Sequence, residues 1–138
     1  MDELLRETRR APISEVIEKV RAVCKLLEDH KGGDVTAIDL RELHLWTDFF
    51  VITTVSSGAH LQGILRHIKE YAGNQGLIIQ RQTQREESGG WHIVDMGAVV
   101  IHLMTAQSRE FYELEKLWDS ALRIYPSKKS PDHSSKSS

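Results

Sequence analysis

The chain has 138 residues, 40% of them hydrophobic and 28% charged, with 20 acidic against 18 basic side chains and a formal charge of -2. That length suits one domain with a core of its own, and charge so nearly balanced is not that of a chain built to coat naked nucleic acid. A single cysteine, Cys24, excludes an internal disulfide.

No apolar run approaches the roughly 20 residues that a bilayer-spanning helix needs. The charged opening MDELLRETRR lacks the apolar core of a signal peptide. The expectation is a cytoplasmic protein with no membrane association and no direct DNA binding.

After a charged N-terminal segment, residues 1–12, apolar side chains recur at Val16, Ile17, Val20, Val23, Cys24 and Leu27. That spacing predicts an amphipathic helix from Ile13 to about His30, started at Pro12 or Ser14 and stopped by Gly32 and Gly33. Val35 to Leu40 reads as a first strand. Phe49 to Val55, FFVITTV, reads as a central strand covered on both faces. The Ser56-Ser57-Gly58 turn leads into a helix from about Ala59 to Ala72, with Leu61, Ile64, Leu65, Ile68 and Tyr71 inward and Gly73 and Gly76 at its exit.

Leu77 to Gln82 makes a third strand, and RQTQREESGG a solvated loop. Trp91 to Met96 and Ala98 to Met104 form an antiparallel hairpin. From Ser108 a helix reads to about Tyr125, with a weak point near Glu115. Phe111, Leu114, Leu117 and Trp118 fit its core stripe, leaving Arg109, Glu110, Tyr112, Glu113, Glu115 and Lys116 for the outside. Residues 126–138 have no apolar side chain to offset the entropy of ordering and read as a disordered tail. The domain therefore spans residues 13–125. Its class is α/β, a single domain with a mixed five-stranded sheet flanked by helices.

Asp39, Asp48 and Asp95 sit at strand ends, where metal-dependent nucleotidyltransferases hold their carboxylates. Such chemistry generally wants two carboxylates close in sequence, and no D-x-D or D-x-E occurs in these strands. Turn-forming and capping aspartates are the better reading. The Ser56-Ser57-Gly58 turn before a helix is equally generic as a phosphate cradle.

The seven histidines do not have metal-ligand spacing. If Met96-Gly97 is a two-residue turn, Trp91 pairs with His102 and His92 with Ile101, which puts the two histidines on opposite faces. His60 and His67 stand two helical turns apart. Cys24, in the apolar stripe of the first helix, reads as a buried structural thiol with no base beside it. No catalytic residue, metal ligand or cofactor is expected.

The same pairing gives the hairpin two unlike faces. His92, Val94, Val99, Ile101 and Leu103 make the better core face. Trp91, Ile93, Asp95, Ala98, Val100 and His102 mix an aromatic, an acid and an imidazole with aliphatic side chains. Together with the charged and aromatic helix that follows, this second face reads as a recognition surface. Its expected partner-binding residues are Trp91, Asp95, His102, Arg109, Glu110, Tyr112, Glu115 and Trp118.

The run W-x-x-x-D-x-G-x-V-V-x-H (Trp91, Asp95, Gly97, Val99, Val100, His102), followed by R-E-F-Y-E-L-E-K-L-W from Arg109 to Trp118, resembles the ribosomal silencing factor family, also called Iojap-like. Upstream, T-D-F-F-V-I from Thr47 to Ile52, Ser57 and His60 as S-x-x-H, and Asp39 in the first strand match its other signatures. The likeness covers about Val16 to Leu122. Two departures stand out: the family's usual D-Y-G-D is here Asp95-Met96-Gly97-Ala98, and Val55-Ser56 replaces a frequent glycine-threonine pair.

The resemblance implies a domain similar to nucleotidyltransferases but lacking their catalytic set. It also implies a non-enzymatic, homodimeric translation repressor that binds the large ribosomal subunit through ribosomal protein L-fourteen and blocks joining of the small subunit. The competing reading is a metal-dependent nucleotidyltransferase using Asp39, Asp48 and Asp95.

Overall fold

The computed structural model describes residues 13–43, 45, 47–85, 90–117 and 121–126. The elements are α1 (Ile13–Asp29), β1 (Gly33–Asp39), a 3-10 turn (Arg41–Leu43), β2 (Phe49–Val55), α2 (Gly58–Gln75), β3 (Arg81–Gln84), β4 (Trp91–Asp95), β5 (Val99–Thr105), α3 (Ala106–Tyr112), α4 (Leu114–Leu117) and β6 (Leu122–Tyr125). The expected N-terminal segment and the tail beyond Pro126 lie outside the described residues, as do Pro12 as helix start and Trp118.

Among the described residues the strands form one six-stranded sheet in the order β3-β4-β5-β2-β1-β6. Only β2 and β5 run parallel; the other neighbours are antiparallel. The class is therefore the mixed α/β sheet expected from the sequence, with a sixth strand added.

Strand alternation divides the core in two. Phe49, Val51 and Val55 of β2, Ile101 and Leu103 of β5 and Val94 of β4 pack with the inward stripes of α1 (Val20, Val23, Cys24, Leu27) and α2 (Leu61, Ile64, Leu65, Ile68). On the opposite face, Phe50, Ile52, Trp91, Val100 and Met104 pack with Ile38, Leu40 and Leu114. Both faces of β2 are covered, which is why its sequence, FFVITTV, is apolar apart from two threonines. Burial, and secondarily Glu28, pushes the Cys24 thiol up to about 12, consistent with a structural cysteine.

Three expectations need correction. First, α2 continues through Gly73 to Gln75 and closes at Gly76, where the Leu77 amide bonds the Ala72 carbonyl at 2.8 Å. The third strand consequently starts at Arg81, not Leu77, and Ile78 stands exposed. Second, the hairpin turn lies at Gly97-Ala98, with the Met96 amide bonded to the Val99 carbonyl. Trp91 pairs with Met104, and His102 with Ile93. The register is thus two residues from the one expected, and a shift of two leaves every side chain on its expected face. His92 and His102 do point to opposite faces.

Third, the closing helix does not run to Tyr125. Glu113 adopts a left-handed conformation (φ 49°) that ends α3, and Leu122–Tyr125 leaves the helical path to pair with β1 as an edge strand. β1 would otherwise leave its outer row of backbone groups unpaired, a cost that helix propensity does not outweigh.

Candidate functional site

The signature residues around the hairpin turn first of all build that turn. Asp95 accepts the Gly97 amide at 2.8 Å, and Gly97 sits at φ 89°, where a side chain is strained. Thr47 Oγ1 donates towards the Gly97 and Ala98 carbonyls at 2.9 and 3.0 Å. The Phe49 amide also bonds Ala98, so the start of β2 is tied to the hairpin. At the start of α2, Ser57 is the N-cap and accepts the His60 amide at 3.0 Å. His60 Nδ1 accepts the Ser56 amide at 2.9 Å, and its Nε2 lies 2.9 Å from the His30 carbonyl, linking α2 to the end of α1. The His67 ring stacks on His30, with centroids 3.6 Å apart.

The acids weighed for metal chemistry have local work as well. Asp39 receives Arg41 Nε at 2.9 Å and the Arg41 amide at 3.0 Å, and its other oxygen contacts the same guanidinium. This hydrogen bonding from Arg41 holds its carboxyl below the usual range. Arg81 stands 3.6 Å from Asp95. Among the described residues, no group of three or more His, Cys, Asp or Glu side chains could hold a metal ion. No helix among them is long and apolar enough to cross a membrane.

The predicted contact residues separate into a buried set and a surface set. Trp91, Asp95, His102 and Arg109 are all buried. Trp91 Nε1 donates to His102 Nδ1 at 3.0 Å. The Arg85 guanidinium lies over the indole at 5.3 Å, and the Tyr112 ring packs against it with centroids 4.7 Å apart. Arg109, expected on the outside, instead reaches inward from α3 to Thr54 Oγ1 (2.9 Å), Thr36 Oγ1 (3.3 Å) and the Gly33 carbonyl (3.4 Å), pinning the helix to β1 and β2.

Glu110 and Tyr112 reach the surface. Trp118 and the side chain of Glu115 lie outside the described residues, as does that of Leu117. Phe111, expected in the core, is 76% exposed and stacks edge-on with Tyr112 at 4.9 Å. The core stripe expected for this segment assumed an unbroken helix. The left-handed Glu113 resets the phase, so that Leu114 turns inward while Phe111 turns out. Nothing in the residues around Phe111 signals this in the sequence, since adjacent apolar residues can share one helix stripe, as Val23 with Cys24 and Ile64 with Leu65 do here.

A shallow groove of about 350 Å³ is lined by three acids, Asp34, Glu110 and Glu113, and two cations, Arg109 and Lys116, the latter 3.6 Å from Glu113. Burial, and secondarily Arg85, drives the His102 pKa down to about 3, so the imidazole beneath this surface is neutral. The exposed Phe111–Tyr112 pair thus rests on a buried tryptophan, next to the exposed Glu110.

The fold is that of a small mixed-sheet α/β domain, with the Phe111–Tyr112 pair exposed on its surface. The family model described as "Ribosomal silencing factor during starvation" matches residues 13–138. The ribosomal silencing factor RsfS of Bacillus subtilis is 32% identical over 106 residues, covering 77% of this chain and 86% of that protein. Its counterpart in Treponema pallidum is 36% identical over 105 residues, covering 73% and 90%. The mouse protein named "Mitochondrial assembly of ribosomal large subunit protein 1" is 33% identical over 95 residues, 67% of this chain but only 42% of its own length.

Crystal structures agree in fold. A Chromobacterium violaceum protein superimposes with a TM-score of 0.66 at 28% identity, covering 76% of this chain and 85% of that one. A Bacillus halodurans protein gives 0.62 at 33% identity, covering 73% and 93%. The chain belongs to the ribosomal silencing factor family, a family named for regulation and not for catalysis.

Proposed function

We propose that this protein binds the large ribosomal subunit through ribosomal protein L-fourteen, stands where the small subunit would dock, and so represses translation. The observation that carries this reading is the exposed Phe111–Tyr112 pair of α3. A Phe left 76% in water is costly for a monomer and useful for an interface. The exposed Glu110 beside that pair suits a basic ribosomal protein, chiefly by steering and specificity.

The names of the relatives support the ribosome as partner, and the mouse relative's name points to the large subunit. L-fourteen and the steric block follow from the resemblance alone. A cytoplasmic location and a homodimer belong to the same proposal. Trp91, His102 and Arg109 serve it from beneath, by shaping the surface that Glu110, Phe111 and Tyr112 present, while Asp95 holds the hairpin turn at the other end of β4. Glu115 and Trp118 remain part of the proposed contact.

The test is sedimentation with isolated large subunits, followed by subunit-joining profiles with and without added protein. The wild-type protein should travel with large subunits and reduce joined ribosomes. Phe111→Ala combined with Glu110→Lys should weaken both effects at least tenfold, about 1.4 kcal/mol or more, while leaving the thermal midpoint nearly unchanged. Full binding by that double variant, with the fold intact, would place the contact elsewhere.

A further inference from the structure

One polar group at the heart of the aromatic face is not explained by the reading above. His102 is 4% exposed, and its Nε2 is the one buried side-chain nitrogen or oxygen without a hydrogen-bond partner among the described residues. Burying an imidazole in this way costs stability, and an aliphatic residue would fill the same space without the cost. The gain lies at the other nitrogen. An indole N–H can only donate, so His102 Nδ1, 3.0 Å from Trp91 Nε1, is the acceptor, and the ring hydrogen resides on Nε2. The ring itself is braced against Phe50, with centroids 4.4 Å apart and planes at 71°.

From there a continuous column of rings leads outward. His102 holds the indole of Trp91, Trp91 packs against Tyr112 at 4.7 Å, and Tyr112 packs against Phe111 at 4.9 Å. Its inner end is anchored on the parallel β2–β5 pair, where Ile52 lies beside His102. Its outer end stands on a helix of about two turns, from Ala106 to Tyr112, too short to keep its shape without tertiary support. The pose of the exposed pair is therefore set by what lies beneath it.

We propose that His102 is a positioning residue for large-subunit binding: by accepting the Trp91 indole hydrogen bond it locks Trp91 under Tyr112 and so holds the Tyr112–Phe111 pair in the pose the partner meets. The inference rests on the reading of α3 as the contact surface and deepens it. Affinity then depends on one hydrogen bond that no partner atom touches. Preorganisation of this kind raises affinity by removing the cost of ordering side chains on binding.

Three variants separate positioning from simple packing. His102→Asn places an amide oxygen the same number of bonds from the backbone as Nδ1, keeping an acceptor for the indole. His102→Leu keeps bulk without an acceptor. Trp91→Phe keeps a ring and removes the donor. The indole N–H resonance of Trp91, assigned by its loss in Trp91→Phe, reports the bond, and sedimentation with isolated large subunits reports affinity.

The expected results are an upfield indole resonance and roughly tenfold weaker binding for His102→Leu, against a retained resonance and binding within about twofold of wild type for His102→Asn. In the Trp91→Phe background the two His102 variants should bind alike, because the donor is gone. Two results would overturn the proposal: His102→Leu binding like wild type although its resonance shows the bond lost, or His102→Asn losing affinity as Leu does while keeping the bond.

Should His102→Leu not fold, Trp91→Phe alone carries the test, with the same tenfold loss expected and unchanged affinity counting against the proposal. Failure of wild-type protein to sediment with large subunits would sink the functional reading instead. The positioning role would then be decided by the ring-current shifts of Tyr112, which must change in His102→Leu or, if that variant does not fold, in Trp91→Phe.

Discussion

Acid should weaken this fold through His102, and the size of the effect follows from its surroundings. Burial, with a smaller contribution from Arg85, lowers its pKa to about 3, against 6.5 for an ordinary histidine. Between those values the unfolded chain binds a proton at this site and the folded chain does not, so stability falls as the pH falls. The loss begins near 6.5, grows by about 1.4 kcal/mol per pH unit, and levels off near the folded pKa. At about pH 5, one and a half units down, it amounts to roughly 2 kcal/mol, a large share of a small domain's stability.

His92, whose pKa is lowered by burial and then by Lys69, adds in the same direction. The comparison must therefore be with a protein that keeps every other titrating group. Urea unfolding of wild type and His102→Asn, followed by far-UV circular dichroism at about pH 7.5 and about pH 5, isolates the term. The wild type should lose about 2 kcal/mol more than the variant across that interval. Equal losses, within the roughly 0.5 kcal/mol that linear extrapolation resolves, would refute the assignment of a buried neutral imidazole.

Other substitutions probe the scaffold that carries α3. Ile101 is fully buried on β5 against α1 and α2, and Ile101→Ala should cost about 3–4 kcal/mol in chemical unfolding. Gly32→Ala should also destabilise, by about 1–3 kcal/mol, since its Cβ would stand 2.5 Å from Thr53 Oγ1 and 2.8 Å from the Leu27 carbonyl, a backbone atom that cannot swing aside. Replacing Arg109 with Met would remove the donors that serve Thr54, Thr36 and the Gly33 carbonyl. A loss of about 2–3 kcal/mol is expected, with faster amide exchange concentrated in α3; exchange rising evenly across the sheet would contradict its role as the pin of that helix.

Much of the architecture was legible because apolar spacing carries it. The α1 stripe and the inward residues of α2 were identified from period, and β2 from its run of apolar and threonine residues, and each packs as read. The hairpin faces survived a turn misplaced by one residue because that shifts the cross-strand register by two. What failed was local chemistry overruled by distant partners. Residues 122–125 read as the end of a helix until β1 claims them as its edge, and a left-handed Glu113 has no marker as plain as glycine. Arg109 looked like a surface cation because nothing in its neighbourhood along the chain announces Thr36 and Thr54, more than fifty positions away.

The sequence by itself determined that this is one α/β domain of the ribosomal silencing factor kind, with an aromatic and acidic segment near its C-terminal end that no catalytic grouping accounts for. Those properties follow from periodicity, motif spacing and residue type, which act along the chain. Only the tertiary structure decided which of the segment's residues face outward. Trp91, His102 and Arg109 went inside because strands distant in sequence supply their hydrogen-bond and ring partners, whereas Phe111, stacked only on its neighbour Tyr112 among the described residues, was left at the surface. Exposure is a property of what covers a residue, and in this chain the cover comes from elements far away along it.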